Sequence, residues 1–396
     1  MNGHSVIADR AHDTKEPTSA EQLVFHPSPT NSLGVELELQ IIDPQTGDLA
    51  PGSPRILKAC KQEGLDAVTA ELMQSMIEVK TGVCQNVNEV KAQLVPVLRR
   101  VKNLAHSLGY NLALGGTHPF NRGISGVIFP DERYERIQER LAWLTYQRVV
   151  FGLHVHVGVP SGDIAVGIIG MLVHYLPHLL ALSASSPFWH GEDTGLASCR
   201  TVLYRMLPHA GVPRYFRDWK EFRAFYKVMR DCRAIQSPKD IYWDIRPSPN
   251  IGTIEIRVCD MPCTLATTLG IVALIHSLVI STQRLLERRP HLCRGDVRRH
   301  WIAIENKWLA TRHGLQAMHI RSPSGKRRVL SHDLADLVTR LSPIAEETGD
   351  AGFLKAIRPT EGFETGADRQ RRLFRETGDW KRLVDDNSQR FVQELG

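Results

Sequence analysis

The chain has 396 residues, 42% hydrophobic and 23% charged, with a formal net charge of +6. This composition supports an ordinary buried core and excludes little beyond disordered and fibrous chains. Seven cysteines, Cys60, Cys84, Cys199, Cys232, Cys259, Cys263 and Cys293, occur at irregular spacing without a CxxC pair. They argue against a zinc finger or disulfide framework and for buried thiols in a cytoplasmic protein.

Residues 1–30 are polar, carry Pro17, Pro27 and Pro29, and show no period, so they read as a mobile leader. They contain no apolar stretch of signal-peptide length. Residues 31–396 read as one domain. Leu33–Ile42 alternates as a strand, with Val35, Leu37, Leu39 and Ile41 on one face and Glu36, Glu38 and Gln40 on the other. Met76–Lys80 is a short strand, Asn88–Leu108 an amphipathic helix ended by Gly109, and Gly115–Pro119 a loop.

A helix is expected over 131–149 and a strand over Phe151–Val159. Ile164–Ala184 is apolar enough to suggest a membrane span, but His174, Pro177 and His178 in its second half favour a buried helix. After a loop over 185–200, two strands are expected around WDIRP and TIEIRV, then helices over 264–288, 295–312, 331–348 and 367–393. Strands early and helices massed late predict an α+β fold with one mostly antiparallel sheet.

Basic clusters at Arg284, Arg288, Arg289, Arg294, Arg298 and Arg299, and at Lys326, Arg327 and Arg328, read as a solvated helix face and a loop. They lack the aromatic strands of an RNA-binding module, so neither a nucleic-acid nor a membrane partner is expected.

Three strands share a pattern of two polar side chains at i and i+2: Glu36/Glu38, His154/His156 and Glu255/Arg257. Side chains two apart point to one side of a strand. Two carboxylates about 7 Å apart repel unless a cation lies between them. Glu78 is a fourth carboxylate of this kind. Carboxylate oxygens favour a hard cation such as magnesium, which usually also holds a nucleotide's phosphates. No Walker loop, GxGxxG or GxSxG is present. Each pair alone has a bland reading: a solvated edge, buried hydrogen-bonded histidines, a cross-strand ion pair. Their coincidence points to a site.

The segments SLGVELELQIID, ELMQSMIEVKTGVC, GGTHPF, ERYERI, GLHVHVGVP, ALSASSPFWHGEDTG, YWDIRPSPNIGTIEIRVCD and ENKWLATRHGL resemble, in order, the motifs of the bacterial glutamate–cysteine ligase type 2 family, which includes the YbdK-like carboxylate–amine ligases. The resemblance implies a glutamine synthetase-like fold, a curved antiparallel sheet with helices packed on its outer face. It implies an ATP- and Mg2+-dependent ligase that forms γ-glutamylcysteine, ADP and phosphate through γ-glutamyl phosphate.

By the same resemblance, Glu36, Glu38, Glu78, His154 and Glu255 are metal ligands. Arg257 meets the transferring phosphoryl group, and His156 orients phosphate or a ligand. Arg200 and Arg246 are candidates for a substrate carboxylate or phosphate, with Arg246 and Arg257 on the nucleotide. Thr117 and His118 either line the acceptor side or form a tight turn.

Many members carry three acidic residues after GV, whereas Leu37 stands at the middle position here. That places the chain nearer the YbdK-like branch, whose cysteine ligation is weak, and leaves the acceptor amine open. A homodimer is expected by family analogy. The alternatives are a zinc hydrolase using His154 and His156, or a non-catalytic protein binding an acidic partner through the basic helices.

Overall fold

The computed structural model describes residues 23–121, 126–289 and 297–395. The fold is α+β. Strands β1 (Leu33–Ile42), β2 (Val68–Ala70), β3 (Met76–Lys80), β4 (Asn111–Ala113) and β5 (Gly152–Gly158) come first. A two-residue ribbon, β6 (Phe188–Trp189) with β7 (Glu192–Asp193), precedes β8 (Ile245–Ser248) and β9 (Thr253–Asp260). A hairpin of β10 (Met318–Ile320) and β11 (Arg327–Val329) lies near the C-terminal helices.

The main sheet runs β2-β3-β1-β5-β9-β8, with β4 paired to the end of β1, and every pairing is antiparallel. Its two faces follow from strict alternation. Val35, Leu37, Leu39, Ile77, Val79, Leu153, Val155, Val157, Ile245, Ile254 and Ile256 form one buried layer with residues of helices Val87–Ser107, Leu265–Arg288 and Leu330–Thr348. Burying each such side chain is worth about 1.5–3 kcal/mol. The other face carries the ionisable pairs.

Among the described residues, two helical stretches are long and apolar enough to cross a membrane, Gly162–Ser183 and Leu265–Arg288, and both are mostly buried inside the protein. The sequence reading noticed only the first. The second is the core helix behind the sheet: Leu269, Val272, Ile275 and Val279 are buried against the other layers.

Several boundaries moved. The helix expected over 131–149 stops at Leu141, because Ala142 takes a left-handed φ of 46° and a tighter 3-10 turn follows. The helix expected over 367–393 is two, Gly366–Thr377 and Trp380–Leu395, separated at Gly378 with φ 63°. Helices Ser53–Gln62, Cys199–Arg205 and Trp219–Asp231 were not anticipated.

Residues 23–29, grouped with the leader on composition, lie against the β8–β9 hairpin. The His26 amide donates to the Pro249 carbonyl at 2.9 Å, and the Phe25 and Trp219 rings meet edge to face at 5.4 Å. Gly252, at φ 63°, lets this segment pass, since a Cβ there would lie 2.0 Å from the His26 carbonyl oxygen. Residues 1–22 lie outside the described residues, as do Cys293 and Arg294. The other six cysteines are free thiols, Cys232 exposed and the rest buried.

Candidate active site

Register builds the site. Glu36 pairs directly with His154, Glu38 with Glu78, His156 with Glu255, and Glu255 with Arg246. Directly opposed residues share a face, so all the predicted strand residues converge on one side of β3-β1-β5-β9-β8. A bulge refines this. Between Leu153↔Cys259 and Val155↔Ile256, β9 places Arg257 and Val258 opposite the single residue His154. The Arg257 amide leaves the ladder and donates to the Asp244 carbonyl at 2.8 Å.

At the acidic end, His154 Nδ1 lies 3.2 Å from Glu36 Oε2, and His156 Nε2 lies 3.5 Å from Glu36 Oε1. His154 Nε2 has no hydrogen-bond partner, and Glu38 Oε1 is 3.7 Å away. Glu38 accepts a short hydrogen bond from the Gly152 amide, and Glu78 accepts from Thr69 at 3.2 Å. Three groups could each hold a cation, with ligand atoms within 4.8 Å of one another: Glu36–Glu78–His154, Glu36–His156–Glu255 and Glu38–Glu71–Glu78.

Charge crowding is visible in the proton affinities. Burial, then the Glu71 charge, pushes the Glu38 carboxyl up to about 7, against the pull of Arg200. Burial and the charges of Glu36, Glu71 and Glu38 hold Glu78 well above the usual carboxylate range. Burial also pulls Glu36 upward, but hydrogen bonds from His154 and His156 outweigh it and leave the carboxyl well below that range. Burial, with Arg257 nearby, lowers His154 to about 4, so its ring is neutral and Nδ1–H can donate to Glu36.

The basic end is built differently. Glu255 lies between two guanidinium groups: Arg246 Nε and Nη2 reach its carboxylate at 2.7 and 3.1 Å, and Arg257 Nη1 makes a short contact. These cations overcome burial and hold Glu255 well below the usual range. Arg246, expected at a substrate anion, has its N–H groups taken up by Glu255 and by the Lys239 and Ile241 carbonyls at 2.9 and 3.0 Å. Arg257 Nη2 donates to the Tyr204 hydroxyl at 2.8 Å, and its buried Nε has no partner. Arg200, on helix Cys199–Arg205, donates to the Arg257 carbonyl at 3.4 Å and also keeps an unpartnered Nε. His156 Nδ1 is tied to Thr253 at 2.9 Å.

Glu71 and Tyr204 escaped the sequence reading. Glu71 directly follows β2 on irregular backbone, and Tyr204 lies on a seven-residue helix, so neither belongs to an alternating run. His118 and Thr117 form a tight turn. His118 bonds the Gly47 carbonyl at 2.9 Å and accepts from the Asn121 amide at 3.0 Å, while Thr117 donates to the Phe188 carbonyl at 2.9 Å.

The architecture recurs in solved structures. A glutamate–cysteine ligase from Francisella tularensis, in complex with AMP, superposes with a TM-score of 0.67 at 13% identity, covering 94% of this chain and 90% of that one. A bifunctional glutathione synthetase from Pasteurella multocida gives 0.60 at 14% identity, covering 92% of this chain and 51% of that one. At such identities the likeness concerns the fold. Sequence relatives are nearer. A "Putative glutamate--cysteine ligase 2" of Bdellovibrio bacteriovorus is 38% identical over 96% of this chain and 99% of its own length. A protein of the same name from Thermobifida fusca is 39% identical over 91% of each.

Fold and relatives together define a carboxylate–amine ligase of the glutamate–cysteine ligase type. The chain belongs to the Glutamate-cysteine ligase family 2, whose model matches residues 32–388. That result does not favour the two non-ligase alternatives. Moreover, His154 and His156 do not share a cation-sized group among the described residues, as a zinc hydrolase would require.

Proposed function

We propose that the protein is an ATP- and magnesium-dependent ligase joining the γ-carboxylate of glutamate to the amine of cysteine or another amine. ADP and phosphate are released by way of γ-glutamyl phosphate. The observation carrying this reading is the crowding of Glu36, Glu38 and Glu78 on one sheet face, with Glu71 from the neighbouring loop, beside the unpartnered His154 Nε2. Buried like charges coexist only with protons or a cation among them. An oxygen-rich donor set with one imidazole fits magnesium, so Glu36, Glu38, Glu78, His154 and Glu255 are the residues that would hold it. Once bound, Mg2+ neutralises phosphate oxygens during phosphoryl transfer.

The remaining work falls to fixed side chains. Arg257 brings positive charge and a free Nε–H to the phosphoryl group, and Arg200 offers the same to a phosphate or substrate carboxylate. Arg246 acts by holding Glu255 in place, and His156, anchored on Thr253, orients Glu36. The Francisella enzyme of like fold is in complex with AMP, which supports an adenine nucleotide as a ligand of this protein. The proposal includes a curved sheet of the glutamine synthetase type, and residues 31–396 acting as one catalytic domain.

The test is ADP release from ATP, magnesium, glutamate and a panel of amines. Turnover should require all four components, and the most effective amine identifies the acceptor. A folded protein silent with every amine would overturn the proposal.

A further inference from the structure

A second group of metal-type ligands lies in the helical layer, and the ligase reaction makes no use of it. His178 sits on helix Leu176–Ser183, His319 on β10, and Asp333 in the first turn of helix Leu330–Thr348. One ligand atom from each lies within 4.8 Å of the other two. His178 Nε2 is 3.0 Å from Asp333 Oδ2, and His319 Nε2 is 3.9 Å from the same oxygen. The imidazole rings meet edge to face at 4.8 Å.

His319 is the anomaly. It is only 7% exposed, its Nδ1 has no hydrogen-bond partner, and its Nε2 stops beyond bonding distance of Asp333. A buried imidazole left in this state is costly and calls for a missing partner.

We propose that His178, His319 and Asp333 form a second cation site, separate from the carboxylate face, that takes a divalent transition metal of the zinc class. Two imidazoles and one carboxylate are the donors such ions prefer, whereas magnesium prefers oxygen alone. Arg321 Nε lies 3.2 Å from the other Asp333 oxygen, an outer partner that fixes the carboxylate's orientation. The three ligands come from three elements, so a bound ion joins the β10–β11 hairpin to both helices and stabilises their packing.

The experiment is a zinc titration of the chelator-stripped full chain in excess magnesium, read by competition with a chromophoric zinc chelator and by thermal unfolding. The parent protein should take a single zinc ion that magnesium does not displace, and should melt at higher temperature with it. His319→Ala should bind zinc at least about 100-fold more weakly and lose the thermal shift. Asp333→Asn, which keeps the shape of the carboxylate, should weaken binding at least about 10-fold and serves if the alanine variant fails to fold. Absence of magnesium-resistant zinc in the parent overturns the proposal. So does zinc binding by either folded variant with the parent's affinity.

Discussion

Glu78 carries much of the electrostatic tension of the site. Its carboxyl is buried opposite Glu38, with Glu36 and Glu71 adding negative charge, and its affinity for a proton is raised accordingly. A raised carboxyl favours the protonated folded state, so stability falls as pH climbs above the unfolded group's value. Glu78→Gln removes that loss. At alkaline pH and without magnesium it should be more stable than the parent by about 1 kcal/mol in urea unfolding, while ADP formation drops at least about 100-fold.

His118 works in the opposite direction. Burial lowers its imidazole from 6.5 to about 4, and both ring nitrogens already have backbone partners. The unfolded chain therefore binds the proton first as pH falls. Stability is full above pH 6.5 and declines as pH drops toward 4, by about 3 kcal/mol in total from this residue. Urea unfolding across that range should show a flatter pH dependence in His118→Gln than in the parent.

The bulge on β9 depends on a neighbour that the sequence does not advertise. Lys307, on helix Val297–His313, reaches both Asp244 oxygens at 2.8 and 2.7 Å in a buried pair, and the Asp244 carbonyl receives the Arg257 amide. Lys307→Met leaves the Asp244 charge buried without its partner. The expected cost is about 3–5 kcal/mol of stability by chemical denaturation, with a fall in kcat as Arg257 loses its fixed position.

At this level the sequence was readable wherever a period of two ran unbroken. Glu36/Glu38, His154/His156 and Glu255/Arg257 declare a shared strand face, and the register sets them side by side. The bulge leaves only a faint trace in the sequence: Val258 and Cys259 are consecutive apolar residues where the apolar–polar alternation of TIEIR should have continued. Arg246 reads as a free cation from sequence because its carbonyl partners, at Lys239 and Ile241, lie on a short irregular turn. Helix Trp219–Asp231 has a clear signal in its Asp218 cap, which accepts from the Glu221 amide, and could have been found.

Across the whole molecule, the N-terminal approach to β1 is a structural part of the sheet. The Asn31 amide donates to the Gly158 carbonyl at 2.9 Å, and the Asn31 carbonyl lies 2.9 Å from His276 Nε2 on the core helix. Upstream of Asn31, deleting residues 1–30 removes the Phe25–Trp219 and His26–Pro249 contacts and should cost about 2–4 kcal/mol in urea unfolding, from lost burial and hydrogen bonding. A deletion that retains Leu23 onward keeps those contacts and is the matching control. The sheet's connectivity also governs its birth on the ribosome. β1 lies at the centre, yet Glu255 and Arg257 arrive only with β9, and the helix Leu265–Arg288 that covers the apolar face follows. Helix Val87–Ser107 covers part of that hydrophobic surface early, but the rest stays exposed on the nascent chain until helices Leu265–Arg288 and Leu330–Thr348 have left the exit tunnel, and over this interval the chain is most dependent on chaperones.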